Sequence, residues 1–448
     1  MVRIYSVKEA KETILVRDLF TEFKIPKKIQ KKNFEIFGRE ISPEEAVREI
    51  ILDVKDRGDV ALKEWTRKLD GVLLDDFEVS QKEIEDSVKK ISAPLRRSLE
   101  IAIKRVLKFH EEQPINKWFM DLKEGELGQI IKPIEKVGIY IPGGTAPLIS
   151  SVYMSTIPAI VANCKELIIT TPPSKDGSIS IEIKGVCGLL KRKFGISLRV
   201  FKVGGAQAIS AMAYGTSQVP KVYKIVGAGN IYVNLAKKFV YGIVGIDGMA
   251  GPTEAIIIAD KTAKKEFVAL DFLAQAEHDY LAIPLIITHS TRFGQEVKKE
   301  IEKRLNNTTR KEIIAQSIRN KGGIIITKSL EESITLTNDF APEHLSLMIK
   351  EPQRKIAKIQ NAGGIFIGDN SCEVLGDYVA GPSHVMPTNG AAKYRSALSV
   401  LDFVKFINII NLERKQAIDL AKSAKIIAKA EKLEAHSRAA KIREEKIQ

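Results

Sequence analysis

Residues 137–144 of the chain read VGIYIPGG, a short apolar run that ends in a Pro-Gly-Gly turn. An apolar run of this length, bounded by turn residues, predicts a buried β-strand. Three more runs of this kind follow, with amphipathic segments between them. Strands are predicted over residues 137–141, 167–171, 198–203 and 222–226, and helices over residues 148–163 and 179–194. Continuous apolar strands separated by helices are typical of βαβ units, in which helices cover both faces of a parallel sheet.

A second series of apolar runs lies further along the chain and predicts a second parallel sheet. Its strands are predicted over residues 255–259, 283–288, 324–327, 345–349 and 365–367. Before both series the pattern is helical, with a capping box and a first-turn proline at residues 42–45 (SPEE) and further helices that begin at Asp59 and Pro94. The pattern after Val400 is helical again. We therefore predict an α/β protein with two α/β domains and helical segments at both ends.

Composition excludes several classes of protein. The 448 residues are 44% apolar and 28% charged, which is the balance of a globular protein rather than a disordered or collagen-like one. The sequence contains no apolar run of the roughly 18 residues that a membrane helix needs, and residues 1–8 do not resemble a secretory signal. Three cysteines are too few for a disulfide framework. We expect a cytoplasmic protein with no membrane partner.

A nucleic-acid-binding protein is the alternative that the net charge of +14 raises. Such a protein would carry a concentrated basic face with aromatic side chains among the charges. Residues 413–448 instead mix ten basic with six acidic side chains. The densest basic cluster, five lysines between residues 24 and 32, has Phe23 and Phe34 only at its edges. This distribution favours a solvated lysine-rich surface, so we expect no nucleic-acid partner.

Glycine turns follow three predicted strands of the first series. Residues 226–230 (VGAGN) lie between a strand and a helix, as a dinucleotide-binding turn does, but Tyr232 stands where the third glycine belongs. On this turn alone a plain strand-to-helix connection is favoured about twofold. Further turns at residues 142–144 and 204–205 strengthen the pattern, because open α/β sheets bind ligands at the carboxyl ends of their strands.

Two pairs of polar residues are candidates for a metal site or for acid/base catalysis. Gln275 and His278 are three residues apart, so on a helix they share one face, as a metal site requires. Glutamine is an uncommon ligand, however, and on this pair alone a packing or surface role is favoured by about three to one. The adjacent Glu343 and His344 follow a proline turn and are either an acid/base pair or a polar helix end.

Two further pairs are weaker signals. Asp377 and His384 lie in a stretch punctuated by glycine and proline, where polar titratable residues favour function only modestly. Glu431 and His436 lie on a predicted C-terminal helix, where a solvated charged face is the default interpretation.

Six ordered blocks together resemble the histidinol dehydrogenase family. They are residues 137–144 (VGIYIPGG), 204–208 (GGAQA), 250–254 (AGPTE), 275–278 (QAEH), 341–345 (APEHL) and 376–384 (GDYVAGPSH). The resemblance runs from about residue 137 to residue 436, roughly two thirds of the chain. It implies a zinc-dependent, NAD-linked homodimer that oxidises L-histidinol through L-histidinal to L-histidine with two NAD, the last steps of histidine biosynthesis.

The resemblance also implies roles for individual residues. It assigns zinc binding to Gln275, His278, Asp377 and His436, with His436 supplied by the partner subunit. It assigns catalysis to Glu343 and His344, and further substrate contacts to Thr253, His384 and Glu431, with Glu431 again reaching across the dimer. The zinc ligands and His344 would also contact the substrate. The implied NAD contacts are Tyr140, Gln207 and Asn230.

For the fold, the resemblance implies two incomplete Rossmann-like domains with N- and C-terminal helical extensions in an intertwined homodimer. The implied units are a helical extension over residues 1–29, a larger domain over 30–138 and 254–398 with the zinc and catalytic residues, a second domain over 139–253 with the NAD contacts, and a helical segment over 399–448 that reaches the partner. The chain departs from many family members at Ala228, where they have proline, and at Thr253, where they have serine.

The chemistry of the two oxidations fits these residue types. An imidazole can take the hydroxyl proton while hydride leaves for nicotinamide, so His344 is the expected general base. The aldehyde must first add water, and Glu343 is the expected acceptor of that water's proton. A related zinc- and NAD-dependent dehydrogenase of another small alcohol, such as a sulfonated diol, is the alternative. His384 and Glu431, which would face the imidazole and amine of histidinol, favour histidinol.

Overall fold

The computed structural model describes residues 2–17, 27–122, 125–143 and 147–446. Phe23 and Lys24 of the basic cluster and Gly144 of the first glycine turn lie outside these residues. The predicted α/β class is confirmed, because two parallel sheets with helices between their strands make up most of the described chain. All three cysteines are free within the described residues, as their number predicted.

The first parallel sheet has five strands within the described residues, in the order β6-β5-β4-β7-β8. The strands are β4 (Lys136–Tyr140), β5 (Glu166–Thr171), β6 (Ser197–Lys202), β7 (Lys224–Val226) and β8 (Gly245–Ile246). The helices that connect them are α7 (Ile149–Val161), α8 (Ile181–Phe194), α9 (Gly205–Tyr214) and α10 (Ile231–Val240). The predicted strands and helices are all present, with small shifts at their ends. The strand order reverses direction between β4 and β7, the place where open α/β sheets bind their ligands.

The second parallel sheet has six strands in the described chain, in the order β1-β11-β10-β9-β12-β13. Five come from the second predicted series: β9 (Glu254–Ala259), β10 (Ile283–Thr288), β11 (Gly323–Ile326), β12 (His344–Met348) and β13 (Gly364–Ile367). Their helices are α11 (Lys265–Ala276), α12 (Thr291–Leu305), α13 (Lys311–Lys321) and α14 (Leu330–Phe340). A short helix, α15 (Glu373–Tyr378), follows the last strand.

The sixth strand, β1 (Ile4–Ser6), corrects the prediction of a wholly helical N-terminal extension. It pairs in parallel with β11, and its neighbours Val2 and Tyr5 are buried against the sheet. The helix α1 (Val7–Glu12) starts only after Ser6, because Ser6 and Glu9 form a capping box. The residues before this cap are therefore free to extend the sheet.

A third, antiparallel sheet corrects the prediction that the chain after Val400 is helical. Its strands are β2 (Trp118–Leu122), β3 (Gly125–Pro133) and β14 (Val404–Leu412), in the order β14-β3-β2 within the described residues. The apolar residues of 404–412 were compatible with a helical repeat, but the segment is rich in β-branched residues and pairs with β3 along all nine positions. The predicted C-terminal helices then follow as α16 (Arg414–Ala430) and α17 (Glu434–Lys446).

The helices that precede the first sheet are α2 (Lys27–Phe37), α3 (Pro43–Arg57), α4 (Asp59–Asp70), α5 (Gln81–Lys90) and α6 (Ala93–Glu111). The capping box at Ser42 is present, with Glu45 as its partner. Helices α3 to α6 share their apolar cores with the five-stranded sheet. The predicted larger domain grouped residues 30–138 with residues 254–398. In the structure, helices α3 to α6 pack instead against the five-stranded sheet of the predicted second domain. Gly185 and Gly188 on α8 allow α5 to pack closely against α8. A Cβ at Gly185 would clash with Ile91, the residue after α5, and a Cβ at Gly188 would clash with α5 itself.

No helix in the described part of the chain is both long and apolar enough to span a membrane.

Candidate functional site

Glu343 and His344 lie where α14 gives way to β12. The helix ends at Phe340, and Ala341 adopts a left-handed conformation with φ of 54°. Pro342 then prevents the helix from continuing. His344 is therefore the first residue of a strand that lies between β9 and β13. The alternative that this pair is a polar helix end is excluded, since both residues follow the helix.

His344 is held between two carboxylates. Its Nδ1 lies 3.7 Å from Oε2 of Glu343, and its Nε2 lies 3.6 Å from Oδ1 of Asp377. Both separations exceed a good hydrogen bond. The imidazole is buried, and neither of its nitrogens has a hydrogen-bond partner among the described residues. A buried polar group without a partner is costly, so this ring is well suited to receive one from a bound molecule.

The charge states of this pair depend on each other. Burial lowers the pKa of His344, but Glu343, Asp377 and Glu373 together raise it to about 9. Burial raises the pKa of Glu343 to about 8, against the opposing effects of His344 and of the Glu254 amide, which donates to Oε2 at 3.2 Å. Because the two groups interact directly, they titrate as a pair that retains a proton near neutral pH.

The sequence did not predict that Glu254 and Arg17 hold Glu343 in place. The side chain of Glu254 is fully buried, and the guanidinium of Arg17 donates two hydrogen bonds to it, at 2.6 and 2.8 Å. The amide of the same Glu254 donates to Glu343. Glu254 closes the AGPTE block, but nothing in the sequence pointed to Arg17, which is 237 positions away.

Gln275 and His278 lie at the end of α11. The helix stops at Ala276, so His278 lies in the turn beyond it. The prediction that Gln275 and His278 share one face of a helix is therefore wrong. Gln275 is only 1% exposed, and neither atom of its amide has a hydrogen-bond partner in the described residues. Burial lowers the pKa of His278, and Asp377 and His344 are close enough to influence it. The turn after α11 thus places a neutral imidazole close to Asp377.

Asp377 and His384 join this cluster from the segment after β13. Burial by itself raises the pKa of Asp377, but His344, His384 and His278 outweigh it, so that the pKa is lowered and the carboxylate is charged. Nδ1 of His384 lies 2.9 Å from the Asp377 carbonyl oxygen, and its Nε2 lies 3.3 Å from Oγ of Ser151 on α7. Burial lowers the pKa of His384. The structure therefore brings Glu343, His344, His278, Asp377 and His384 together.

The donor chemistry of Gln275, His278 and Asp377 suits a zinc ion, since nitrogen and oxygen ligands are accepted. The unsatisfied amide of the buried Gln275 supports this fit. The described residues nevertheless contain no group of three or more His, Cys, Asp or Glu side chains that could hold a metal. A zinc site here therefore requires Gln275 and a ligand from outside the cluster.

The structure does not bring the two remaining predicted residues to this cluster within one chain. His436 is exposed on α17, and Glu431 is exposed just after α16. The two helices pack against each other, and Ser437 donates to the Lys425 carbonyl oxygen at 3.3 Å. Thr253 directly precedes β9, and its carbonyl oxygen accepts from Ile283 at 2.8 Å.

The predicted NAD contacts lie at the carboxyl edge of the five-stranded sheet. Tyr140 ends β4, and its hydroxyl accepts from the Gly205 amide at 3.2 Å. Gln207 donates through Nε2 to Asp70 at 3.2 Å, and its Oε1 has no partner among the described residues. Asn230 caps α10 by accepting from two backbone amides. The three residues therefore share one sheet edge, although Asn230 already has a structural role.

The turn at Gly227 lies at the point where the strand order reverses. Its φ is 111°, and a Cβ there would clash with the Tyr140 carbonyl oxygen, so only glycine fits. A buried ion pair between Lys237 and Asp247 holds this glycine from both sides. Asp247 accepts from the Gly227 amide at 2.8 Å, and Lys237 donates to the Gly227 carbonyl oxygen at 2.8 Å.

Known proteins resemble this chain over most of its length. A family model described as histidinol dehydrogenase matches residues 38–444. A histidinol dehydrogenase of Deinococcus radiodurans is 40% identical over 95% of this chain and 96% of its own length. One of Thermus thermophilus is 43% identical over 89% of this chain and 94% of its own length. The crystal structure of histidinol dehydrogenase from Elizabethkingia anophelis matches with a TM-score of 0.88 at 34% identity, covering 99% of this chain and 98% of that one. The chain belongs to the histidinol dehydrogenase family.

Proposed function

We propose that this protein oxidises L-histidinol through L-histidinal to L-histidine, with two NAD as hydride acceptors. The observation that carries the proposal is the unsatisfied imidazole of His344, buried between Glu343 and Asp377 and close to His278. A cluster of perturbed titratable groups with open hydrogen-bonding capacity is typical of an active site. Family membership supports the choice of substrate.

His344 is the proposed general base. Its nitrogens are available to a substrate hydroxyl, and loss of the hydroxyl proton to the imidazole accompanies loss of hydride to NAD. Glu343 then serves the second oxidation by accepting a proton from the water that adds to the aldehyde. Its carboxylate is positioned for this by the Glu254 amide, which holds Oε2.

Gln275, His278 and Asp377 would hold zinc, with His436 of a second copy as the fourth ligand. The metal, when bound, supplies a fixed point for the substrate's nitrogens and so orients the alcohol towards His344. Exposure of His436 and Glu431, away from the cluster of their own chain, supports their action across a homodimer. His384 and Thr253 would complete the substrate contacts.

Tyr140, Gln207 and Asn230 would contact NAD at the carboxyl edge of the five-stranded sheet. The unpaired Oε1 of Gln207 and the reversal of strand order at Gly227 support this position. The helix α10 begins there, and its N-terminus favours a phosphate group.

The test is NADH formation from L-histidinol by the purified protein. We expect two NADH per histidinol, loss of activity on treatment with a chelator, and recovery with zinc. A His344→Ala variant should lose almost all activity, whereas His289→Ala, which changes an exposed histidine, should retain it. Turnover of another small alcohol but not of histidinol would contradict the proposal.

A further inference from the structure

Glu373 is a buried carboxylate that the proposed mechanism does not use. It is the first residue of α15 and is 1% exposed. Its Oε1 accepts a hydrogen bond of 3.0 Å from the hydroxyl of Ser346, which is also 1% exposed. Its Oε2 has no partner among the described residues. Burying a carboxylate costs free energy, so a buried Glu373 next to the active site indicates that its side chain has a specific role there.

The Ser346–Glu373 hydrogen bond joins two elements of the site. Ser346 lies two residues after His344 on β12, so both side chains are on the same face of the sheet. Glu373 lies one helical turn before Asp377 on α15, so these two share one side of the helix. The bond therefore links the strand that carries the base to the helix that carries a proposed zinc ligand.

The helix α15 depends on such contacts for its position. It has six residues, and a helix of this length is not stable by itself. Its middle packs against Phe366, where a Cβ at Gly376 would clash with the ring. Its carboxyl end is held through backbone oxygens, with Tyr153 donating to Tyr378 at 2.8 Å. At its amino end, Glu373 supplies the link to β12.

We propose that the Ser346–Glu373 hydrogen bond is a positioning contact that fixes Asp377 for zinc binding and holds it beside His344. The inference rests on the proposed zinc site. Groups that orient a metal ligand from outside the coordination shell typically change metal affinity by about 10- to 100-fold when they are removed. Glu373 and Ser346 act through Asp377 and touch neither substrate nor cofactor.

The test measures the zinc dissociation constant of the full chain by competition with a chelator. We expect Ser346→Ala and Glu373→Ala to weaken zinc binding by about tenfold. Glu373→Gln keeps an oxygen that accepts from Ser346, so it should bind zinc like the unaltered protein. The double variant Ser346→Ala/Glu373→Ala should be no weaker than either single one, because both remove the same bond. In turnover, kcat should fall while KM for NAD stays unchanged.

Ser333→Ala is the matched control. Ser333 is fully buried on α14, and its hydroxyl lies 2.8 Å from Oγ1 of Thr327. This variant also loses a buried serine hydrogen bond next to the same sheet, so its stability should fall, but its zinc affinity should not change. Unaltered zinc affinity in folded Ser346→Ala would overturn the inference, as would equal losses in Glu373→Gln and Glu373→Ala. Failure of the unaltered protein to bind zinc would overturn the proposed zinc site instead.

Discussion

At the scale of single residues, the charge on His344 governs when it can act as a base. The pKa of His344 is raised to about 9, because Glu343 and the other carboxylates outweigh burial, and burial raises the pKa of Glu343 to about 8. The pair therefore keeps a proton at neutral pH and releases it as the pH rises. We expect kcat/KM for histidinol to increase between about pH 6 and pH 9, measured by NADH formation.

The same profile offers an internal check. Glu343 is the largest of the neighbours that raise the pKa of His344. Glu343→Gln should therefore move the rising limb of the alcohol-oxidation profile to lower pH. A limb that stays in place would show that another group controls it.

A second prediction at this scale concerns the division of labour between the two residues. If Glu343 accepts a proton from water, Glu343→Gln should slow oxidation of supplied histidinal more than oxidation of histidinol. General-base assistance is worth about 10²- to 10⁴-fold, so the difference should be easily measured. Rates on the two substrates are compared by NADH formation. Equal losses on both substrates would contradict these roles.

At the scale of secondary-structure elements, the ion pair of Lys237 and Asp247 fixes the turn between β7 and α10. Both side chains are buried, and together they bind the amide and the carbonyl oxygen of Gly227. Lys237→Met leaves Asp247 without its cation, so the turn should loosen.

The expected result of Lys237→Met is a higher KM for NAD with little change in KM for histidinol. A lost hydrogen bond to a charged group is worth about 1.5–3 kcal/mol, which corresponds to roughly 10- to 150-fold if all of it appears in cofactor binding. Lys238→Met is the matched control, since Lys238 is exposed and its ion pair within the described residues is a 3.4 Å contact with Glu44. A parallel rise in both KM values would show general damage rather than a loosened cofactor turn.

The elements also show what sequence patterns can and cannot predict. Strands buried on both faces, such as β5 and β9, are continuous apolar runs and were all predicted. The strand β14 was missed because its apolar residues fit a helical repeat, and only pairing with distant β3 decides between the two. Gln275 and His278 were predicted to share one helix face, but α11 ends at Ala276, before His278. Arg17 and Glu373 were missed entirely, because their partners are set by tertiary packing.

At the scale of the whole molecule, the exposed C-terminal helices α16 and α17 predict sites shared between two subunits. In that case a mixture of two inactive variants, His344→Ala and His436→Ala, should regain activity after subunit exchange. Each hybrid dimer would contain one site with both histidines intact, which gives about a quarter of full activity after random exchange. Activity is measured before and after exchange at equal total protein. If His436 acts within its own chain, the mixture stays inactive.

The strand β1 has a consequence for how the protein is made. Tyr5 pairs with Ile325, about 320 residues further along the chain. At a synthesis rate of about 5–20 residues per second, roughly 15–60 s separate the emergence of these two partners from the ribosome. During that interval β1 has no strand to pair with. Until β1 docks, β11 is an unpaired edge strand, and such edges favour aggregation. The edge of the sheet beside β11 is thus completed by a segment that is translated long before β11 itself.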